Sequence, residues 1–422
     1  MTSSLPLSAA DVDRAAGRLA GIAVRTPVHR SARLSDIAGV PVWVKREDLQ
    51  SVRSYKLRGA SLLLDSLTEA ERAAGVVAAS AGNHAQGVAV ACATLGVQGR
   101  IYVPRTTPRQ KRERILSLGG DRVTLLQVGD TFDDAAEAAA EDAERTGATI
   151  VPPFDHPVTM AGQGTVVREA IEQIRSEHGH DIGTVVIPVG GGGLLAGCGV
   201  WLHEREPQMR VVAVEPAGAP SLARALEAGH PVTLSDIDRF VDGAAVRRVG
   251  DGPFEVIRAI APIVTAVPEG AVCTEMLNMY QTDGIIAEPA GALAATAVAT
   301  GVVDDSAGEI LVILSGGNND VSRYNEVVER SLVHEGLRHY FLVTFPQEPG
   351  ALRRFLDTVL GPDDDIIVFD YIKRNNREEG PALVGLEIGG RENLEPLLGR
   401  MATSGMQIER IDPHGPMYRY LT

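Results

Sequence analysis

The chain has 422 residues, 44% hydrophobic and 23% charged, with 45 glycines. That length exceeds what one hydrophobic core supports, so two or three domains are expected, and the composition excludes a disordered or fibrous chain. A net charge of -15, from 40 Lys and Arg against 55 Asp and Glu, excludes a general electrostatic case for nucleic acid or anionic membrane.

In chain order, "VPVWVKRE" reads as a strand and is followed by a helix at 56–67, a strand at 75–80 and a helix at 83–96. A strand at 99–104, a helix at 109–120, a strand at 122–128 and an acidic helix at 131–147 continue the rhythm. Next come a short strand at 149–153, a helix at 164–177, a strand at 184–189, a glycine run opening a helix, and a strand at 210–215. The apolar run "EILVILSGG" adds a buried strand ending in a loop. Alternating strands and helices mean parallel βαβ units, whose ligands sit beyond the carboxyl ends of the strands.

The pattern changes near residue 335: strand 338–346, helix 350–361, strands 365–375 and 382–390, helix 393–405 and strand 407–413. That order, βαββαβ, is ferredoxin-like. The polar junction "RYNEVVERSLVHEGLRHY" sets the expected boundary at 333/334, with residues 1–333 and 334–422 as separate domains.

The start, "MTSSLPLSAADVDRAAGRLA", lacks a basic n-region and an apolar h-region, and no later apolar run approaches a membrane span. A cytoplasmic location is expected. Cys92, Cys198 and Cys273 are odd in number and widely spaced, so they read as ordinary buried thiols. No His/Asp/Glu constellation has metal-ligand spacing, and no metal is expected.

Four stretches carry candidate chemistry. In "SVRSYKLRGA", Lys56 stands at a helix N-terminus with Arg53 and Arg58 nearby, so dipole and like charge disfavour its ammonium form. A neutral lysine is the nucleophile a carbonyl cofactor requires, whereas a lone lysine at a helix start is ordinarily just solvated. "PVGGGGLLAG" follows a strand, and Gly190 to Gly193 let the backbone approach a phosphate at the next helix start. The same run satisfies the dinucleotide fingerprint G-x-G-x-x-G/A, with Glu215 where a ribose-binding acid would stand, so a nicotinamide enzyme is a rival reading. "SAGNHAQG" places Ser80 and Asn83 at a helix start that either is simply capped or holds a carboxylate. In "LSGGNND", Ser315 ends a buried strand, where its hydroxyl meets a cofactor edge or caps a turn.

Together with "EPAGA" at 288–292, these stretches resemble, in the same order, the fold-type II pyridoxal-phosphate enzymes, and within them the biosynthetic threonine dehydratases. The resemblance spans about residues 10–330, and the nicotinamide reading explains only one of the five stretches. It implies a tryptophan synthase β-like fold of two open twisted α/β subdomains, the smaller, about 50–155, inserted in the larger. By matched position, Lys56 would bind pyridoxal 5'-phosphate, Asn83 its 3-hydroxyl oxygen, Gly190, Gly191, Gly192, Gly193 and Leu194 its phosphate, and Ser315 would face its ring nitrogen. Ser80, Ala81, Gly82, Asn83 and His84 would receive the carboxylate of L-threonine. Glu288 is near a family active-site position and reads equally as a helix-start acid. Residues 152–165 and 240–250 read as loops edging the cleft. The tail, through residues 341–361 and 371–388, resembles a single ACT-like regulatory domain, implying isoleucine as allosteric inhibitor. A single copy implies a homo-oligomer that completes the pair, with a tetramer favoured. A catabolic serine/threonine dehydratase, a serine racemase and a non-catalytic amino-acid sensor are the other readings.

Overall fold

The computed structural model describes residues 5–303, 307–371, 378–413, 415, 417 and 418. The chain divides into two units, Met1–Asn319 and Asp320–Thr422.

Among the described residues the strands of the first unit are β1 (Val28–Ser31), β2 (Val42–Arg46), β3 (Val76–Ala79), β4 (Gly99–Val103), β5 (Val123–Gln127), β6 (Thr149–Ile150), β7 (Thr184–Pro188), β8 (Arg210–Pro216), β9 (Ile263–Val267) and β10 (Ile310–Leu314). They form a six-stranded sheet of order β1-β2-β10-β7-β8-β9 and a four-stranded sheet of order β5-β4-β3-β6. β1 pairs antiparallel with β2, and the other pairings are parallel. The smaller sheet is thus inserted in the chain between β2 and β7 of the larger. Each sheet has its own core: Val185, Ile187, Leu311 and Ile313 with flanking helices in one, Val76, Ala78, Ile101 and Val103 in the other.

Strand β10, all of it buried, sets Ile310 opposite both Val42 and Thr184. A continuous apolar run suits a parallel strand covered on both faces. Chain order runs outward from β7 through β8 to β9 and then returns to β7's other side with β10. The switch point between β7 and β10 opens a crevice beyond their carboxyl ends. The glycine run follows β7 and Ser315 follows β10, so both predicted stretches border it.

Residues 152–165 correct the sequence reading. The loop ends at His156, whose Nδ1 accepts from Val158 N at 3.2 Å, and a helix runs over Pro157–Gln173. Pro157 suits the first turn, where no N–H is required. Gly162 and Gly164 are contact points: a Cβ on Gly162 would stand 2.7 Å from Gly59 Cα, and one on Gly164 2.5 Å from Gly197 O. These glycines let the helix lie against Lys56–Ser66 and Gly193–Arg205 at backbone distance, although the sequence reads as loop chemistry.

In the second unit, β11 (Arg338–Pro346), β12 (Asp365–Tyr371), β13 (Glu379–Glu387) and β14 (Gln407–Arg410) pair antiparallel in the order β12-β13-β11-β14. Helices Ala351–Val359 and Leu394–Thr403 complete the βαββαβ order around Phe341, Val343, Phe355, Val384 and Leu397. Helix Tyr324–His334 goes with this unit, and its Glu329 accepts from Tyr340 Oη at 2.8 Å. Residues 372–377, in the resemblance-bearing stretch 371–388 and the expected strand 365–375, lie outside the described residues. No helix among the described residues is long and apolar enough to cross a membrane.

Candidate active site

Lys56 is the first residue of helix Lys56–Ser66, and its Nζ donates to Pro153 O at 2.9 Å. Burial, offset in part by the charge of Glu288, pushes its pKa down to about 8. The direction expected from sequence holds, but the cause differs. Arg58 turns into the core, where Nε and Nη2 each meet the Glu47 carboxylate at 2.8 Å and Nη1 meets Glu169 at 3.1 Å. A guanidinium neutralised in this way is no longer a free like charge beside Lys56. Lys45, fully buried, completes the cluster by donating to Gln173 Oε1 at 2.8 Å and Thr26 O at 2.7 Å. Charges buried like these are tolerated only when each is paired and hydrogen-bonded.

The residues just before Lys56 are tied to the loop after β10. Tyr55 N donates to Ser315 O at 3.1 Å, Gly317 N to Arg53 O at 2.9 Å, and Ser54 bridges Gly316. Ser315 is buried, and its Oγ donates to Ala290 O at 3.3 Å. Lys56 and Ser315 therefore lie at neighbouring points of the crevice.

The glycine run is closely packed on both sides. A Cβ on Gly191 would stand 2.3 Å from the Phe154 ring, one on Gly193 2.8 Å from Phe154 Cβ, and one on Gly190 2.9 Å from Ala244 Cα. Gly192, at φ 90°, is the N-cap of helix Gly193–Arg205 and supplies no side chain to its free N–H groups. Leu194 is buried in the core, so only its backbone faces the loop. Pro153 and Phe154 join the parts: one carbonyl holds Lys56, and the next ring walls the glycines.

Helix Asn83–Leu95 also starts without a side-chain cap, at Gly82. Ser80 Oγ accepts from Gly82 N at 3.2 Å, which shapes the turn of residues 80–82 instead. His84 is buried, its Nε2 is 2.7 Å from Val151 O, and burial with the nearby Lys56 charge pushes its pKa down to about 3. A neutral ring donating to that carbonyl leaves the backbone N–H as the part of His84 available at the helix start. A Cβ on Gly87 would stand 3.0 Å from Lys56 O, so this helix lies against the start of the lysine helix.

Asn83 meets Glu288: Nδ2 donates to Oε1 at 2.6 Å, while Asn83 Oδ1 accepts from Asn318 Nδ2 at 2.7 Å. Glu288 is the N-cap of helix Pro289–Ala299 but makes no side-chain cap bond there, so it is not acting as a helix-start acid. Burial, then the charge of Asp242, pushes its pKa up to about 7. Sequence reading gives Pro153 and Phe154 only a place in a loop edging the cleft and gives Asn318 no role, although all three lie within the stretches 152–165 and 314–320.

Glu215, the acid of the nicotinamide reading, is fully buried and accepts from Leu222 N at 2.7 Å and Ala223 N at 2.9 Å. Its oxygens are committed to a helix start rather than offered to a ribose. The donor set of the crevice fits pyridoxal phosphate. It offers a desolvated amine, a glycine run with no room for side chains, two uncapped helix starts, a buried hydroxyl and an oriented amide.

Fold and site together define a pyridoxal-phosphate enzyme, and the chain belongs to that family: residues 20–316 match the profile described as pyridoxal-phosphate dependent enzyme. Residues 329–421 match the C-terminal regulatory domain of threonine dehydratase. The L-threonine dehydratase biosynthetic IlvA of Mycobacterium tuberculosis is 57% identical over 417 residues, 98% of this chain and 96% of that one. Its namesake in Corynebacterium glutamicum is 52% identical over 419 residues, 99% of this chain and 95% of that one. Among solved structures, the processed form of threonine deaminase isoform 2 from Solanum lycopersicum superposes with TM-score 0.71 at 36% identity, covering 77% of this chain and 87% of that one. Maize serine racemase gives TM-score 0.71 at 29% identity, covering 78% and 99%.

Proposed function

We propose that the chain is a biosynthetic threonine dehydratase, converting L-threonine to 2-oxobutanoate and ammonia as the committed step of isoleucine formation. The observation that carries this reading is the 57% identity over 98% of the chain to an enzyme of that name, a likeness that runs through both units.

Lys56 would hold pyridoxal phosphate, Asn83 would donate to its 3-hydroxyl oxygen, the backbone of Gly190 to Leu194 would take its phosphate, and Ser315 would face its ring nitrogen. Bound there, the cofactor supplies the electron sink for the pair left when the substrate Cα–H bond breaks. The N–H groups at the start of helix Asn83–Leu95, with the Ser80–Gly82 turn, receive the substrate carboxylate. Lys56, neutral above about pH 8, takes the α-proton as general base. A Ser315 hydroxyl facing the ring nitrogen, unlike a carboxylate, would not hold that nitrogen protonated, which would suit elimination of the β-hydroxyl.

The first unit would carry catalysis and the second would bind isoleucine as inhibitor, in a cytoplasmic homo-oligomer for which a tetramer is favoured. The likeness to maize serine racemase favours a second reading, a serine-directed enzyme, against which the match of residues 329–421 weighs. Oxo-acid formation from threonine and from serine, each with and without isoleucine, decides between them. Threonine preference with isoleucine inhibition is expected, and equal turnover of both substrates without inhibition contradicts the proposal.

A further inference from the structure

Asn83, Glu288 and Asn318 close a hydrogen-bonded ring drawn from three separate elements. Asn83 Nδ2 donates to Glu288 Oε1 at 2.6 Å, Asn318 Nδ2 donates to Asn83 Oδ1 at 2.7 Å, and Asn318 N donates back to the Glu288 carboxylate. Asn318 Nδ2 also donates to Val52 O at 2.7 Å. One member of this set leaves no choice of direction. A backbone carbonyl only accepts, so Val52 fixes which end of the Asn318 amide is nitrogen. That nitrogen donates to Asn83 Oδ1, which turns the nitrogen end of the Asn83 amide toward Glu288. Glu288 is itself held by its N–H, which donates to Gly316 O at 3.2 Å, and by close packing, since a Cβ on Gly316 would stand 2.2 Å from Oε1.

We infer that Glu288 and Asn318 are positioning residues, which lock the Asn83 amide so that its one uncommitted N–H serves the cofactor. The inference rests on the proposed cofactor role of Asn83. An amide free to turn would present its oxygen half of the time, and oxygen facing oxygen repels. The ring also ties the start of helix Asn83–Leu95, beside the smaller sheet, to the loop after β10 in the larger one. It therefore fixes where the amide stands as well as which way it faces.

The charge pattern of the ring can be reversed without changing its shape. Asn318→Asp is isosteric but sets a carboxylate against Asn83 Oδ1, so the amide must turn and its oxygen then meets Glu288. Adding Glu288→Gln supplies a donor for that turned oxygen and closes the ring again in the opposite sense. The readouts are pyridoxal phosphate affinity, by absorbance titration of the cofactor-free full chain, and the thermal midpoint of that cofactor-free chain. Asn318→Asp is expected to lower both, the affinity by about tenfold or more. The double variant is expected to regain part of the thermal midpoint, the carboxylate at position 318 still facing Val52 O, but none of the affinity, because the amide now faces the wrong way. Recovery of both in the double variant, or undiminished affinity in Asn318→Asp, would overturn the inference. Failure of the unaltered chain to bind pyridoxal phosphate would instead overturn the functional reading on which it rests.

Discussion

Lys56 owes its low proton affinity to where its side chain ends. Burial moves its pKa from 10.5 to about 8, while the neighbouring Arg58 is spent on Glu47 and Glu169. Between those values the folded chain holds fewer protons at this site than the unfolded one. Its cost to stability is therefore full below about pH 8 and fades as the pH rises through 10.5. The same shift sets the chemistry: capture of pyridoxal phosphate by the cofactor-free chain should rise with pH about a midpoint near 8, followed by absorbance. A midpoint near 10.5 would mean that the amine is solvated. The sequence made Lys56 legible through its motif but misplaced the cause, because helix dipoles and flanking charges are visible in one dimension and burial is not. Glu288 stays divided between two readings in the sequence for a related reason. Its partner Asn83 is 205 residues away, and only the folded chain shows that its side chain turns to Asn83 rather than to its own helix start.

The helices around the site pack through glycines, and their cost should be measurable one methyl at a time. A Cβ on Gly197 would stand 2.0 Å from Met160 O, a backbone atom with no rotamer to yield, whereas one on Gly17 would meet nothing within 4 Å. Gly197→Ala should therefore lose about 1–3 kcal/mol of stability. Gly17→Ala, in helix Ala9–Arg18, should change it by under about 1 kcal/mol, and in the stabilising direction. Denaturant unfolding of the two variants checks both, and equal effects would contradict close packing at Gly197. These contacts also explain what was misread. The βαβ rhythm was visible because Val, Ile and Leu mark buried parallel strands, as in "EILVILSGG". The start of helix Pro157–Gln173 was hidden because Thr159 to Val167 are all buried and Gly162 and Gly164 meet neighbouring backbones, leaving no apolar stripe of ordinary periodicity.

The whole chain joins a largely parallel unit of two sheets to an antiparallel βαββαβ unit, and the change in pattern near residue 335 already announced the second. The division lies earlier, at Asn319, because helix Tyr324–His334 directs Glu329 to Tyr340 and Arg338 of the following strand. From sequence that helix reads only as polar linker. What the first unit achieves is convergence: strands whose ends are far apart in sequence bring Lys56, the 190–193 glycines and Ser315 to one crevice. Deamination of threonine in this crevice is proposed to run through Lys56. Its most direct test is 2-oxobutanoate formation from L-threonine by the pyridoxal-phosphate-loaded chain and by Lys56→Ala. Turnover that vanishes in Lys56→Ala, with the variant still folded, is the predicted result, and turnover that persists in Lys56→Ala, or is absent from the unaltered chain, would contradict it.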